Sequence, residues 1–347
     1  MKNFFKVLLL SALALTVCAM GFCAEPEYKV INKIHVKGEE GWDYLTCDSA
    51  ASRLYVSRGT HVIVVDTVKN RVVGEIPGTD GVHGIAIAEE FNCGFTSNGK
   101  ANTVTIFDLQ TLKIKGEAKT GENPDAILYD TFSKKVFTFN GKSKDSTVID
   151  AATGKVIGTF SMGGKPEFAC ADGKGMLYVN IEDTAEVVEI DSIKAKITRR
   201  FSIKPGTEPT GIAIDIKKHL VFSGCHNKVM TVLDTQSGKI IASIPVGSGV
   251  DGCGFDPGRE LAFCANGADG TLTVAKAAPD GKFEVVQTAA TQKGARTMTV
   301  DPATHKIYLP TAEFGPMPAQ TQMPVPGSHP HPPIIKDSFV ILVVDSK

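Results

Sequence analysis

The chain has 347 residues, a formal net charge of −1 and 22% charged residues. Such a balanced charge produces no long-range field that would favour nucleic acid or an anionic membrane, so we predict neither partner. Glycine is abundant and Trp42 is the only tryptophan, which is typical of a chain with many tight turns and small, repeated strands.

The first 24 residues differ from the rest. Lys2 and Lys6 precede the apolar run Val7–Val17, and the small-residue stretch Ala19–Ala24 follows it. This order is the n-region, h-region and cleavage zone of a secretory signal, and the apolar run is short for a membrane span. We therefore predict a signal peptide at 1–24, a periplasmic or secreted mature protein, and no transmembrane segment after signal removal.

A strand that ends in aspartate recurs along the chain. Its copies are Val62–Asp66, Val104–Asp108, Thr147–Asp150, Val187–Asp191, Thr231–Asp234 and Val340–Asp345, with a degenerate copy that ends at Lys276. Successive ends lie 42, 42, 41, 43, 42 and 69 residues apart. A period near 42 that consists only of short strands predicts propeller blades of four antiparallel strands.

The two ends of the repeat array complete each other. Tyr28–Val36 resembles the fourth strand of a repeat that has no blade of its own, whereas Arg296–Val300, Lys306–Pro310 and Phe339–Asp345 supply three strands. The predicted fold is therefore all-β: a seven-bladed β-propeller at 25–347, closed when the N-terminal strand completes the last blade. The predicted blades are Asp43–Pro77, His83–Ala118, Asp125–Phe160, Glu167–Phe201, Thr210–Pro245, Asp251–Thr288 and Arg296–Asp345 with the N-terminal strand.

Several motifs resemble those of a known family. They include Leu54-Tyr-Val-Ser, Val62-Ile-Val-Val-Asp-Thr, Gly81-Val-His-Gly-Ile-Ala-Ile and Thr231-Val-Leu-Asp-Thr-Gln-Ser-Gly-Lys. From about Tyr28 to Asp345 the chain is similar to the YVTN family of β-propeller repeats and to its exported YncE-like members. The resemblance implies the fold. It implies no shared catalytic set, because propellers host binders, lactonases, dehydrogenases and scaffolds.

One position just before each innermost strand collects polar and charged residues. Its occupants are Asp43, His83, Asp125, Glu167, Thr210, Asp251 and Arg296. Ring closure brings this position to the mouth of the central channel. Two interpretations stay open: a hydrated rim whose charges offset each other, with Arg296 paired to Asp43 or Asp251, or a ligand or cation site. Oxygen ligands suit Ca²⁺, and His83 would admit a transition metal.

The loops after the second strands predict a further polar ring, formed by Arg58, Asn98, Asn140, Asn180, His226 and Asn266. Asparagine in such loops is first of all a turn residue that tolerates positive φ. The alternative is that these side chains, with Arg58 and His226, point into the same funnel as ligand donors.

The last blade contains an insertion at 313–337, and its segment Phe314–Pro333 is rich in proline, which favours extended chain. It joins the second and third strands of the blade and should emerge on the channel-mouth face. A flexible lid or linker is one interpretation. Capture of copper is the other, since imidazole and thioether groups at His329, His331, Met317 and Met323 are copper-type ligands. The cofactor, if any, stays unknown.

Six cysteines remain outside the signal segment, without CxxC or metal-finger spacing. Cys253 and Cys264 flank the turn at 256–259 and can face each other. An oxidising compartment permits a disulfide there, and buried free thiols are the alternative.

No nucleophile elbow, Walker loop, dinucleotide fingerprint, HExxH or CxxCH motif occurs. We therefore expect an exported, monomeric, non-enzymatic propeller that binds a small ligand, a peptide or an envelope protein at the channel mouth. The alternative is a metal-assisted hydrolase or lactonase that uses Asp43, His83, Glu167 and Asp251.

Overall fold

A computed structural model describes residues 27–317 and 332–346. The predicted signal peptide, and the copper-ligand candidates Met323, His329 and His331, lie outside the described residues. Met317 is described and is exposed.

The described residues form seven sheets of four antiparallel strands. The first strand is β1 (Tyr28–His35), and blades one to three follow: β2 (Leu45–Asp48), β3 (Arg53–Arg58), β4 (His61–Asp66), β5 (Arg71–Pro77), β6 (Val82–Ala88), β7 (Cys93–Asn98), β8 (Thr103–Asp108), β9 (Ile114–Lys119), β10 (Pro124–Asp130), β11 (Lys135–Asn140), β12 (Asp145–Asp150) and β13 (Val156–Ser161). Blades four to six comprise β14 (Pro166–Ala171), β15 (Met176–Ile181), β16 (Glu186–Asp191), β17 (Lys196–Ser202), β18 (Pro209–Asp215), β19 (Leu220–Cys225), β20 (Val229–Asp234), β21 (Lys239–Pro245), β22 (Val250–Asp256), β23 (Leu261–Asn266), β24 (Thr271–Ala277) and β25 (Phe283–Ala290). Blade seven contains β26 (Thr299–Val300), β27 (Ile307–Thr311), β28 (Val340–Ser346) and β1. The seven-bladed propeller is thus confirmed.

The chain closes the ring as predicted. β1 pairs antiparallel with β28, from Tyr28 opposite Ser346 to His35 opposite Val340. Tyr28 and Ile34 are buried against blades six and one, respectively, on the two sides of blade seven. The N-terminal strand therefore completes the last blade and removes a free sheet edge.

The recurring aspartate at the end of the third strand has a local cause. Oδ1 of Asp66 accepts the backbone N–H groups of Val68 (3.0 Å) and Lys69 (2.8 Å), and Asp108 does the same in blade two. The hydrogen bonds from Lys69, first from its backbone, lower the pKa of Asp66. A short acceptor at this position fixes the tight turn between the third and fourth strands in blades one to five, which explains the repeat there.

The innermost strands need small residues because neighbouring blades approach closely at the axis. A Cβ on Gly211 of β18 would lie 2.5 Å from the backbone N of Cys253 in β22. Any side chain there would separate blades five and six. Glycine at the start of an inner strand is therefore a packing requirement.

The insertion leaves the ring between β27 and β28, as predicted, and its base is held by backbone pairing. Phe314 bridges Ile334, Gly315 N donates to the oxygen of Pro333 (2.8 Å), and Ile335 N donates to the oxygen of Glu313 (2.9 Å). The Phe314 ring lies 6.0 Å from that of Trp42. Both ends of the segment thus meet beside the channel mouth.

Helical structure in the described part of the chain consists of two single 3₁₀ turns, Glu89–Phe91 and Glu182–Thr184. No described helix has the length and apolarity needed to cross a bilayer.

Candidate functional site

The residues that precede the inner strands meet at one end of the channel, which we call the mouth. His83 Nδ1 donates to Asp43 Oδ2 at 2.6 Å and lies 3.7 Å from Asp125 Oδ1. Asp125 Oδ1 is buried and accepts no hydrogen bond among the described residues. The structure therefore brings one imidazole between two carboxylates that are 82 residues apart in the chain.

Arg296 connects the carboxylates on the other side of the mouth. Its Nε donates to Asp251 Oδ2 at 2.6 Å, and its Nη2 lies 3.4 Å from both Asp43 Oδ1 and the backbone oxygen of Trp42. This is the charge-offsetting arrangement expected from the sequence. Asp43 belongs to both pairs, so it links His83 to Arg296 in one network.

Glu167 has a partner that sequence reasoning missed. Lys165 Nζ lies 2.8 Å from Glu167 Oε1 and also contacts Glu182. Its position two residues before Glu167 was the available signal, because alternate residues of an extended chain share a face. We call Asp43, His83, Asp125, Glu167, Asp251, Arg296 and Lys165 the rim network.

Burial and mutual repulsion shift the pKa values of the rim network. Burial lowers the pKa of His83, but the hydrogen bond to Asp43 and the carboxylate of Asp125 outweigh it and raise the pKa to about 9. Burial, with the nearby charge of Asp43, raises the pKa of Asp125 to about 6 although His83 opposes the shift. Burial and Asp125 raise the pKa of Glu167 to about 8. The mouth thus holds crowded carboxyl groups beside a protonated imidazole.

A tyrosine forms the floor of the mouth. Tyr44 lies at the start of blade one, and its ring meets that of Phe168 in β14 of blade four, with centroids 4.6 Å apart. Blades one and four are not neighbours, so this contact crosses the channel. Burial, followed by the four rim carboxylates, raises the pKa of Tyr44 well above its usual value. The mouth is therefore a shallow, closed bowl whose floor carries a neutral phenol.

The predicted second ring does not assemble as one set of side chains. The amides of Asn98, Asn140, Asn180 and Asn266 are buried and bond within the propeller. Asn98 Nδ2 donates to Thr105 Oγ1 (2.8 Å), and Asn180 Nδ2 donates to the oxygens of Thr210 (2.9 Å) and Gly211 (3.0 Å). Positive φ occurs at other asparagines, such as Asn102. These amides therefore donate hydrogen bonds to hydroxyl and carbonyl oxygens within the propeller.

Arg58 and His226 lie apart from each other. Arg58 is fully buried, stacks 3.7 Å above the ring of Phe339 and donates from Nη2 to Glu40 at 3.2 Å. Burial lowers its pKa to about 10. His226 is exposed, and its Nδ1 lies 3.6 Å from Glu208. Arg58 thus packs in the core, whereas His226 stays at the surface near Asp251.

A cleft of about 820 Å³ opens beside the rim network. Aromatic and aliphatic side chains line it, together with glycines that leave the backbone accessible and two cationic residues: Gly41, Trp42, Gly249, Gly267, Ala268, Lys293, Gly294, Arg296, Phe314, Pro332 and Ile334. Trp42 and Arg296 belong to both the cleft and the edge of the mouth. We call this cavity the mouth cleft.

The raised pKa of Glu167 predicts how the stability of the protein depends on pH. The folded protein holds this proton more tightly than the unfolded chain, so the stabilisation is complete below pH 4.5 and is lost as the pH rises to about 8. Across this pH range we expect the free energy of unfolding to fall for wild type and to fall less for Glu167→Gln, with a difference on the order of 2 kcal/mol. Urea unfolding at several pH values measures it. Glu117→Gln, an exposed glutamate on β9, is the control. Equal slopes for Glu167→Gln and wild type would contradict the shift.

These features define a β-propeller protein with a charged mouth and an adjacent cleft. The sequence matches no protein-family model and no curated protein. Among solved structures, hydrazine synthase of Kuenenia stuttgartiensis is similar with a TM-score of 0.69 and 15% identity, covering 79% of this chain and 94% of that chain. U3-55K is similar with a TM-score of 0.73 and 9% identity, covering 91% and 99%. At such low identity the similarity establishes the fold alone.

Proposed function

We propose that this protein is an exported, non-enzymatic propeller that binds a small ligand at its mouth, in keeping with the YncE-like resemblance of its repeats. The observation that carries the proposal is the mouth cleft of about 820 Å³, a size that fits drug-sized ligands. The ligand enters and leaves on the mouth side, because Tyr44 and Phe168 close the channel below it.

The lining of the mouth cleft indicates the ligand's chemistry. Trp42, Phe314 and Ile334 offer apolar surface for an aromatic or aliphatic body. The two charged residues of the lining, Lys293 and Arg296, are cations. Arg296 is compensated by Asp251 and Asp43, whereas Lys293 forms no ion pair with another described residue. The proposed ligand therefore combines an apolar body with an anionic group near Lys293.

A charge-reversal experiment tests this proposal. Phenylacetate and octanoate are titrated calorimetrically, with phenethylamine and octylamine as cations of matched shape. We expect the anions to bind more tightly than the amines, and Lys293→Glu to weaken them at least about tenfold, or about 1.4 kcal/mol. Lys113→Glu changes the same charge at an exposed position on blade two and should leave binding unchanged. Equal binding of both charge classes, or an unaffected Lys293→Glu variant, would refute the assignment.

A metal-assisted hydrolase is the second candidate, and one observation favours it. Asp43, His83 and Asp125 each offer a ligand atom, and these atoms lie within 4.8 Å of one another. Asp43 and His83 were predicted for this role from the sequence. The other two predicted residues have different partners, because Asp251 pairs with Arg296 and Glu167 with Lys165. A divalent ion held there would lower the pKa of a bound water.

The two functions differ in metal content and in hydrolysis. For the hydrolase, untagged protein from chelator-free buffer carries close to one equivalent of metal and opens a simple lactone, and chelator abolishes both. For the binding protein, elemental analysis shows only trace metal and chelator does not change octanoate binding. The hydrogen bond from His83 to Asp43 would have to break for an ion to bind, so metal binding would also release a proton from His83.

A further inference from the structure

Two cysteines of blade six face each other across the sheet. Cys253 in β22 lies directly opposite Cys264 in β23, and their Sγ atoms are 2.8 Å apart. We infer that this pair forms a disulfide bond when the protein folds in an oxidising compartment. The inference adds a covalent link to the propeller and is independent of which ligand the mouth takes.

The register of the two strands supports the bond. Directly opposite residues of an antiparallel pair have Cβ atoms about 4.5–5.5 Å apart, and a disulfide needs about 3.5–4.5 Å. The link therefore requires a small adjustment and no change of register. Space for the sulfurs comes from Gly224 in β19, because a Cβ at that position would lie 2.6 Å from Cys253 Sγ.

Burial makes these two thiols less reactive than an exposed cysteine. Cys253 is 5% exposed and Cys264 is 0% exposed, beside Met230 Sδ at 3.4 Å. Burial raises the pKa of Cys264 well above its usual value, so the thiol is inert once blade six has packed. The bond therefore forms during folding, while β22 and β23 are still accessible.

The remaining cysteines of the described chain lie on other blades. Cys47 belongs to blade one, Cys93 to blade two, Cys170 to blade four and Cys225 to blade five. Cys225 is buried near the pair, but it lies opposite Pro209 and Val229 rather than another cysteine. It is therefore a matched control.

The reaction is thiol–disulfide exchange with a disulfide oxidoreductase of the oxidising compartment. The thiolate of Cys253 attacks the oxidant's disulfide, which forms a mixed disulfide and releases one oxidant thiolate. The thiolate of Cys264 then attacks Cys253 Sγ and releases the second oxidant thiolate. The oxidant takes two electrons, and the two protons from Cys253 and Cys264 go to its thiolates.

The bond would anchor a strand of the candidate site. Asp251 precedes Cys253 by two residues on β22, and its carboxylate accepts the 2.6 Å hydrogen bond from Arg296. A covalent link between β22 and β23 restricts fraying of the inner strand at this point. The disulfide thus supports the position of a rim carboxylate without touching the ligand.

Thiol labelling tests the inference. The protein is directed to a bacterial periplasm by a standard leader, denatured without reductant, alkylated and mapped by mass spectrometry. We expect Cys47, Cys93, Cys170 and Cys225 to be labelled, and the peptides of Cys253 and Cys264 to be joined until reductant is added. Labelling of both Cys253 and Cys264 in most molecules before reduction would overturn the inference, whatever the ligand tests show.

A stability measurement distinguishes a bond from close packing. Prior reduction should lower the melting temperature of wild type and of Cys225→Ser by roughly 5 °C. It should leave the double variant Cys253→Ser/Cys264→Ser unchanged. A similar loss on reduction in the double variant would assign the effect to other thiols and refute the link.

Discussion

Replacing Ile34 with aspartate is expected to open the ring. Ile34 lies on β1, is 2% exposed, and packs in a cluster with side chains of blade one, with Phe339 and with Ile341 of β28. A carboxylate there has no partner, so we expect the free energy of unfolding to fall by about 4 kcal/mol. Urea unfolding followed by circular dichroism measures the loss.

The same strand provides the control. Ile31 lies at the bulge between Val30 and Asn32 and is 41% exposed. Ile31→Asp introduces the same charge where water solvates it, and its stability should stay within about 0.5 kcal/mol of wild type. If both variants lose the same amount, charge on the strand rather than the buried closure would be responsible.

Truncation of Tyr44 to alanine is expected to destabilise the propeller and remove the floor of the mouth. The ring is buried and joins blades one and four through Phe168. Its loss leaves a cavity at the axis, and we expect the free energy of unfolding to fall by about 3 kcal/mol. Octanoate affinity at the mouth should fall too, since water would reach the bowl from below.

Tyr44→Phe separates the ring from its hydroxyl. Burial and the surrounding carboxylates keep this hydroxyl neutral, so removing it should change stability by less than about 1 kcal/mol and should preserve ligand affinity. If Tyr44→Phe loses as much stability and octanoate affinity as Tyr44→Ala, the hydroxyl group and not the aromatic contact across the axis would be responsible.

The architecture could be predicted from the sequence because each blade repeats the same local chemistry. The aspartate of the third strand fixes a turn, glycines in the inner strands of blades two, five and six permit close packing, and the missing fourth strand of blade seven is present at Tyr28. These are short-range signals with a fixed period. Ring closure then followed from counting strands, and the rim residues met because the repeat places them equivalently.

The details of the site depended on contacts that the period does not contain. Tyr44 contacts Phe168 across the ring, and Lys165 pairs with Glu167 and Glu182; neither contact repeats from blade to blade. Loop position allowed Arg58 to be a funnel residue, but the side chain at the end of β3 stacks on the ring of Phe339. A repeat alignment predicts where a backbone position lies and not which way a long side chain turns.

Because β1 and β28 close the ring together, the order of synthesis also determines which blade can form last. Among the strands of the ring β1 is made first and β28 last, so the outer strand β1 has no partner until β28 has been synthesised. Six blades can assemble in chain order, but the seventh cannot form before β28 has left the ribosome. During that interval chaperones could bind the unpaired strand β1. A stop codon before Val340 would remove the partner of β1 and leave the ring open.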